Sequence, residues 1–179
     1  MNKTLTALAL CMLSNAALAN TGNINFAGSI TPGGTCPIEI VEPGTGGTVL
    51  PRVVLGSYHP EYFTATGVKT REIPFAMRVT PGAGCTIPAG GKATVTFSAI
   101  YGAEGTNLYR LRPGAAKNLA LAIQDSTLTN LAPGKASAEY TLDVTAPTEM
   151  LFYAMYQALD NKVEPGDAHT EVSFLVDIK

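Results

Sequence analysis

Strict alternation of apolar and polar residues recurs along this chain, and Pro-Gly pairs stand between the alternating runs. Ile73, Phe75, Met77 and Val79 alternate with Pro74, Ala76 and Arg78, and Ala93, Val95, Phe97 and Ala99 with Thr94, Thr96 and Ser98. Leu119, Leu121 and Ile123 alternate with Ala120 and Ala122, and Tyr140, Leu142 and Val144 with Thr141 and Asp143. Successive side chains of a strand point to opposite faces, so each run offers one face to a core and the other to its surroundings. From Leu151 to Ala158 both faces are apolar, which predicts a strand covered on both sides, near the middle of its sheet. Pro32-Gly33-Gly34, Pro43-Gly44, Pro81-Gly82, Pro113-Gly114, Pro133-Gly134 and Pro165-Gly166 mark turns. Short strands between recurring turns predict an all-β antiparallel sandwich with almost no room for helices.

Length and composition narrow what such a chain can do. At 179 residues it is about one domain's worth, and a multidomain enzyme is not expected. Hydrophobic residues make up 46% and charged residues 15%, against roughly 25% charged in ordinary soluble domains, so charge-driven disorder is excluded. A formal net charge of -2 leaves no counterion-release term with which to hold nucleic acid, so none is expected as a partner.

The start of the chain reads as an address. Lys3, the apolar run Leu5 to Leu13 and the closing Ala17-Leu18-Ala19 predict a secretory signal peptide over 1–19, cleaved before Asn20. That run is too short to span a bilayer, and no other segment approaches 18 apolar residues, so no transmembrane segment is expected. Cys11 is preceded by Leu10, larger than the small residue of a lipoprotein signal. After cleavage only Cys36 and Cys85 remain, and an even count in an oxidising compartment favours one disulfide over a metal site or a catalytic thiol. The alternative is a pair of inert buried thiols. One disulfide among short strands suggests a sandwich of immunoglobulin-like kind, although the tryptophan of antibody domains is missing.

Candidate chemistry is sparse. Gly90-Gly91-Lys92 suggests a phosphate loop, but Thr86 stands where the earlier glycine is required and Ala93 where Ser or Thr is. His59 and His169 lack metal-ligand spacing, and no Gly-x-Ser-x-Gly elbow occurs. Asp125, Asp143 and Asp160 lie beside turns or on strand faces, the pattern of a solvated surface. The chain is expected to be no enzyme, with no cofactor and no metal.

The two ends of the secreted chain carry more. Gly22, Ile24, Phe26, Gly28 and Ile30 alternate with Asn23, Asn25, Ala27 and Ser29, so a strand with one apolar edge is predicted between the cleavage site and Cys36. Val172, Phe174, Val176 and Ile178 alternate with Ser173, Leu175 and Asp177, so the sequence closes at Lys179 in a strand.

These features in this order resemble the fimbrial subunits, or pilins, of the bacterial chaperone-usher pathway. The resemblance runs from the extension through Cys36 and Cys85, Val54-Leu55-Gly56 with Phe63 and Gly67, Pro74-Phe75, and Val95 to Phe97. It continues through Leu121-Ala122-Ile123-Gln124-Asp125, Leu131-Ala132-Pro133-Gly134, Phe152-x-Ala154-x-Tyr156 and Pro165-Gly166-Asp167-Ala168. Gly166 holds the family's glycine fourteen residues from the C-terminus, and Ile178 replaces its penultimate aromatic.

The resemblance implies an incomplete immunoglobulin-like sandwich that lacks its last strand, with a hydrophobic groove between its own first and last strands. It implies a signal peptide at 1–19, a donor-strand extension at 20–35 and a pilin domain at 36–179. Gly22, Ile24, Phe26, Gly28 and Ile30 would be the donor residues. Gly166, Val172, Phe174, Val176 and Ile178 would form the C-terminal groove strand and chaperone contact. The implied partners are other fimbrial subunits, a periplasmic assembly chaperone and an outer-membrane usher, and the implied destination is a fimbria on the bacterial surface, reached through the periplasm and supporting adhesion. The competing reading is a secreted monomeric sandwich that binds carbohydrate or another small ligand through exposed Tyr58, Tyr62 and Tyr109.

Overall fold

The computed structural model describes residues 22–28, 36–44, 46–82 and 84–179. The expected signal peptide, with Cys11, and the donor candidate Ile30 lie outside them. The described strands are β1 (Gly22–Gly28), β2 (Ile38–Val41), β3 (Val53–Gly56), β4 (Ile73–Val79), β5 (Lys92–Ala99), β6 (Ala103–Glu104), β7 (Leu108–Arg110), β8 (Leu119–Asp125), β9 (Tyr140–Thr141), β10 (Thr148–Ala158) and β11 (Thr170–Ile178). A 3-10 turn, Pro60–Tyr62, is the one helical element among the described residues.

The strands form two sheets, ordered β3-β1-β11-β5-β9 and β2-β4-β10-β8-β7-β6. All pairs are antiparallel except β1 with β11, which is parallel. The predicted alternation sets the core. Phe75, Met77 and Val79 from β4, Val95 and Phe97 from β5, Leu121 and Ile123 from β8, and Phe152, Ala154 and Tyr156 from β10 join one buried cluster. Phe152 stands at its centre, with ring centroids 5.6 Å from Phe75, 5.1 Å from Phe97 and 5.4 Å from Tyr140, so one side chain joins both sheets. On the other face of β8 and β10 a smaller cluster of Leu108, Ala120, Ala122 and Met155 is buried as well. The two-faced burial expected of β10 is therefore observed, and β8 shares it.

Two expectations need correction. The alternation at Tyr140, Leu142 and Val144 yields only the two-residue β9, and Val144 is exposed. The Asp143 carboxylate accepts the amides of Thr145 and Ala146 at 2.7 and 2.8 Å, and this local turn competes successfully with the ladder. The gap in the fold is also not bordered by the body's first strand. β2 pairs with β4 in the six-stranded sheet, the chain then crosses over, and β3 is the strand that faces β11 across the gap. The turn after Pro43, where Gly44 and Gly46 have φ of 71°, a conformation favouring glycine, folds the chain back on β2, with the Leu50 amide donating to the Ile40 carbonyl at 2.7 Å, and the crossing comes after Leu50.

A third expectation fails at Asp125, read from sequence as part of a solvated surface: its side chain is buried at the end of β8 and ties down the next turn. It accepts the Thr127 amide at 3.0 Å, the Thr127 hydroxyl at 2.6 Å and the Ala138 amide at 2.9 Å. Burial by itself pushes this carboxyl up, but the Thr127 hydroxyl and the amides of Ala138, Thr127 and Thr129 outweigh it, so the group titrates below its ordinary value. A depressed carboxylate contributes stability above its unfolded value of about 3.9 and loses it as pH falls through the folded value. Asp125→Asn is expected to lower stability at pH 7 by roughly 1–3 kcal/mol, and to shrink the difference between wild type and variant below about pH 4. Urea unfolding of both proteins across that pH range measures it.

Candidate functional site in the gap between β3 and β11

β3 is an edge strand whose ladder in the five-stranded sheet is with β1, and β11 reaches β3 only through β1. Take β1 away and a gap one strand wide opens, with backbone donors and acceptors unpaired on both walls. The strand that fills this gap precedes Cys36 in the chain. Its register against β11 runs Ile24 to Thr170, Asn25 to Glu171, Phe26 to Val172, Ala27 to Ser173 and Gly28 to Phe174. Against β3 it pairs Gly22 with Gly56, Asn23 with Val54 and Ile24 with Val53, with a register shift between Gly22 and Asn23.

The β11 wall is graded along its length. Thr170 and Val172 are buried, whereas Phe174, Val176 and Ile178 on the same face are half-buried against the core. Leu175, on the opposite face, is 59% exposed. The strand is fastened at both ends. Thr170 donates its hydroxyl to the Arg110 carbonyl at 2.7 Å, and Lys92 and Lys179 exchange backbone bonds of 2.9 and 2.8 Å. The β3 wall is Val53 and Leu55, both buried, with Val54 facing out. As a four-residue strand it shows too few alternations to be read as a wall from sequence, although Val54-Leu55-Gly56 stood out as a motif.

Gly166 lies just before β11, and its role is steric. A Cβ there would stand 2.8 Å from the Ala116 nitrogen and 3.0 Å from its Cα, while the Ala116 amide donates to the Asp167 carbonyl at 2.8 Å. The backbones cross too closely for a side chain. Gly166→Ala is expected to cost roughly 1–3 kcal/mol through overpacking, read as a lower urea midpoint with an unchanged m-value. Beside this crossing, next to the Gly22–Gly56 pair, lies a small cavity of about 30 Å³ lined by Gly56, Tyr58, Phe63, Tyr156, Gly166 and Ala168. Tyr156 donates its hydroxyl to the Ala168 carbonyl, and burial, with Tyr58 nearby, pushes its titration above the ordinary tyrosine value.

Cys36 and Cys85 form a disulfide, with Cα atoms 4.4 Å apart. Of the two readings the sequence left open, paired cysteines hold. Tyr109, offered as an exposed sugar platform, is wholly buried and donates its hydroxyl to the Leu131 carbonyl at 3.0 Å, because Leu108-Tyr109-Arg110 is a strand inside the six-stranded sheet. Tyr58 and Tyr62 pack on each other with centroids 5.3 Å apart, and Tyr62 is 47% exposed. Among the described residues no cluster of metal-ligating side chains occurs, and no helix is long and apolar enough to cross a membrane.

Comparison with known proteins agrees with this geometry. The model of the family "Fimbrial protein" matches residues 24–179. The fimbrial-like protein FimF of Salmonella typhimurium is 33% identical over 125 residues, which cover 69% of each chain. Among solved structures, the P pilus rod subunit PapA is similar in fold with a TM-score of 0.58 at 14% identity, over 80% of this chain and 99% of PapA. The type I fimbria protein BPSL1626 of Burkholderia pseudomallei gives a TM-score of 0.53 at 19% identity, over 90% of this chain and 92% of that one. A family match over residues 24–179, on a sandwich whose five-stranded sheet is completed by a strand that precedes the disulfide, leads to one conclusion: the chain belongs to the fimbrial protein family and is a structural subunit of a pilus.

Proposed function

We propose that this subunit polymerises by strand exchange, the extension 20–35 of one copy entering the gap between β3 and β11 of the next. The observation that supports the reading is that β1, a segment preceding the disulfide, occupies an interior position of the five-stranded sheet. A strand held only by a connection of seven residues is separable from the body it completes, and an equivalent strand from a neighbour meets the same walls. The contact is heterologous and does not close on itself, so repetition builds a filament.

In this reading Gly22, Ile24, Phe26, Gly28 and Ile30 are the donor residues, and Val172, Phe174, Val176 and Ile178 line the acceptor, with Gly166 at its mouth. A periplasmic chaperone would hold the gap before exchange and an outer-membrane usher would pass subunits outward, which requires the signal peptide at 1–19 and transit through the periplasm. The large donor side chains contribute roughly 1.5–3 kcal/mol each when buried in a neighbour.

Phe26→Asp tests the assignment. A charge carried into an apolar acceptor has no partner there, so filament formation by the purified subunit, followed by light scattering and electron microscopy, is expected to fall at least tenfold. Undiminished assembly would remove Phe26 from the donor set.

A further inference from the structure

We propose that a cleft beside the hairpin of β6 and β7 is a saccharide site: its occupant is a neutral pyranose, held through its hydroxyls by Glu104, Arg110 and Arg112 over an apolar floor. The site lies outside the gap between β3 and β11 and goes beyond the strand-exchange reading.

The cleft opens at the end of the sandwich where β8 begins and β10 finishes. Its volume is about 630 Å³, against about 30 Å³ for the cavity beside Gly166, which it meets only at Ala116 and Leu119. Sites for small molecules run from roughly 300 to 1,000 Å³. Neither β3 nor β11 contributes a residue to its walls. The floor is apolar: Leu111 and Leu119 are buried, and Leu159 is half-buried. Ile100, at the edge beside the half-buried Tyr101, keeps 47% of its surface exposed, so apolar area is left for a ligand to cover.

The polar groups at the rim are charged, yet they cancel. Arg110 Nε donates to a Glu104 carboxylate oxygen at 2.9 Å, and an Arg112 Nη donates to Asp167 at 2.9 Å. A guanidinium carries five N–H donors and a carboxylate accepts several bonds, so each pair keeps donors and acceptors for a ligand. With the charges compensated, no net field draws an anion or a cation into the cleft. A hydroxyl donates one bond and accepts two, and neighbouring hydroxyls of a sugar ring match a guanidinium and a carboxylate standing side by side. The C–H face of the same ring is apolar and gains by covering Ile100, Tyr101 and Leu159. One wall is held rigid: Asn118, at φ 60°, donates its Nδ2 to the Lys162 carbonyl at 2.7 Å, and its own carbonyl accepts the Leu159 amide at 2.8 Å. A preformed wall spares the ligand the cost of ordering it. Because cleft and gap share no strand, a filament carries one cleft per subunit, and repetition turns a weak single contact into avidity for a surface that presents many copies of the sugar.

The test is amide NMR on the mature chain. Methyl α-D-mannopyranoside, methyl β-D-galactopyranoside and N-acetylglucosamine are titrated in turn to about 50 mM, above the millimolar Kd expected of small polar ligands, with methyl β-D-glucuronide as the anionic counterpart. At least one of the three neutral sugars is expected to shift the signals of Tyr101, Arg110, Arg112 and Asn118. Arg110→Gln and Tyr101→Ala are each expected to weaken that binding at least tenfold, whereas Tyr62→Ala, at an exposed ring outside the cleft, leaves it unchanged. The Arg110 side chain is exposed, and surface ion pairs add little stability, so an unchanged Tm is expected of Arg110→Gln. No shift with any of the three sugars, shifts confined to residues outside the cleft, shifts with the glucuronide alone, or full binding by Arg110→Gln overturns the proposal. The measurement needs only the folded subunit, so its result is independent of whether subunits polymerise by strand exchange.

Discussion

A mature subunit lacking residues 20–35 is expected to form no filaments with copies of itself and to be less stable than the full chain. Both effects have one cause. The extension supplies β1, and without it Thr170–Phe174 of β11 and Val53–Gly56 of β3 lose their ladder on the gap side. Unpaired backbone groups on two facing walls, beside an opened core, expose both a polar and an apolar deficit to water. A synthetic peptide of residues 22–30 added in trans is expected to restore much of the thermal stability while leaving the truncated subunit monomeric, since a free peptide has no body attached with which to continue the chain. Size-exclusion chromatography and thermal unfolding with and without peptide separate the outcomes. Filaments assembled from the truncated subunit alone would end the strand-exchange reading.

Phe152→Ala is expected to lower stability by roughly 3–5 kcal/mol, which for a domain of this size is a fall in Tm on the order of 10 °C or more. Phe152 is wholly buried, and its ring lies stacked on Phe75 within its own sheet and edge-on to Phe97 across the sandwich. Its removal leaves a cavity between rings that belong to different sheets and cannot follow one another inward. Because Phe97 pairs with Phe174 of β11, the loss is expected to loosen the acceptor wall as well. Differential scanning calorimetry measures the first effect and the rate of peptide uptake the second. A Tm change below about 3 °C would mean that the site collapses and the three rings are not a rigid junction.

Much of the fold was legible because period-2 patterns survive wherever a strand is long enough to repeat them. The cores of β4, β5, β8, β10 and β11 sit where the alternation put them. Short elements were not legible. β2, β6 and β7 show one or two alternations each, and Tyr109, in a three-residue strand, looked exposed from sequence yet is wholly buried. Val144 misled in the other direction, because the carboxylate of the preceding Asp143 offered the amides of Thr145 and Ala146 a local partner. Of the candidate site, the apolar sides of the two terminal segments were readable, but their relation was not. Nothing in the alternation of Gly22 to Ile30 says which wall it meets, or in which sense.

The sequence by itself determined the longer strands and the apolar faces of the first and last of them, and it favoured pairing of Cys36 with Cys85, because strand periodicity and cysteine count are local properties of the chain. Only the tertiary structure decided that β3, not β2, borders the gap, that Gly166 is required by a backbone crossing with Ala116, and that β1 runs parallel to β11. Each of those depends on where distant segments meet in space, which no local pattern along the chain encodes.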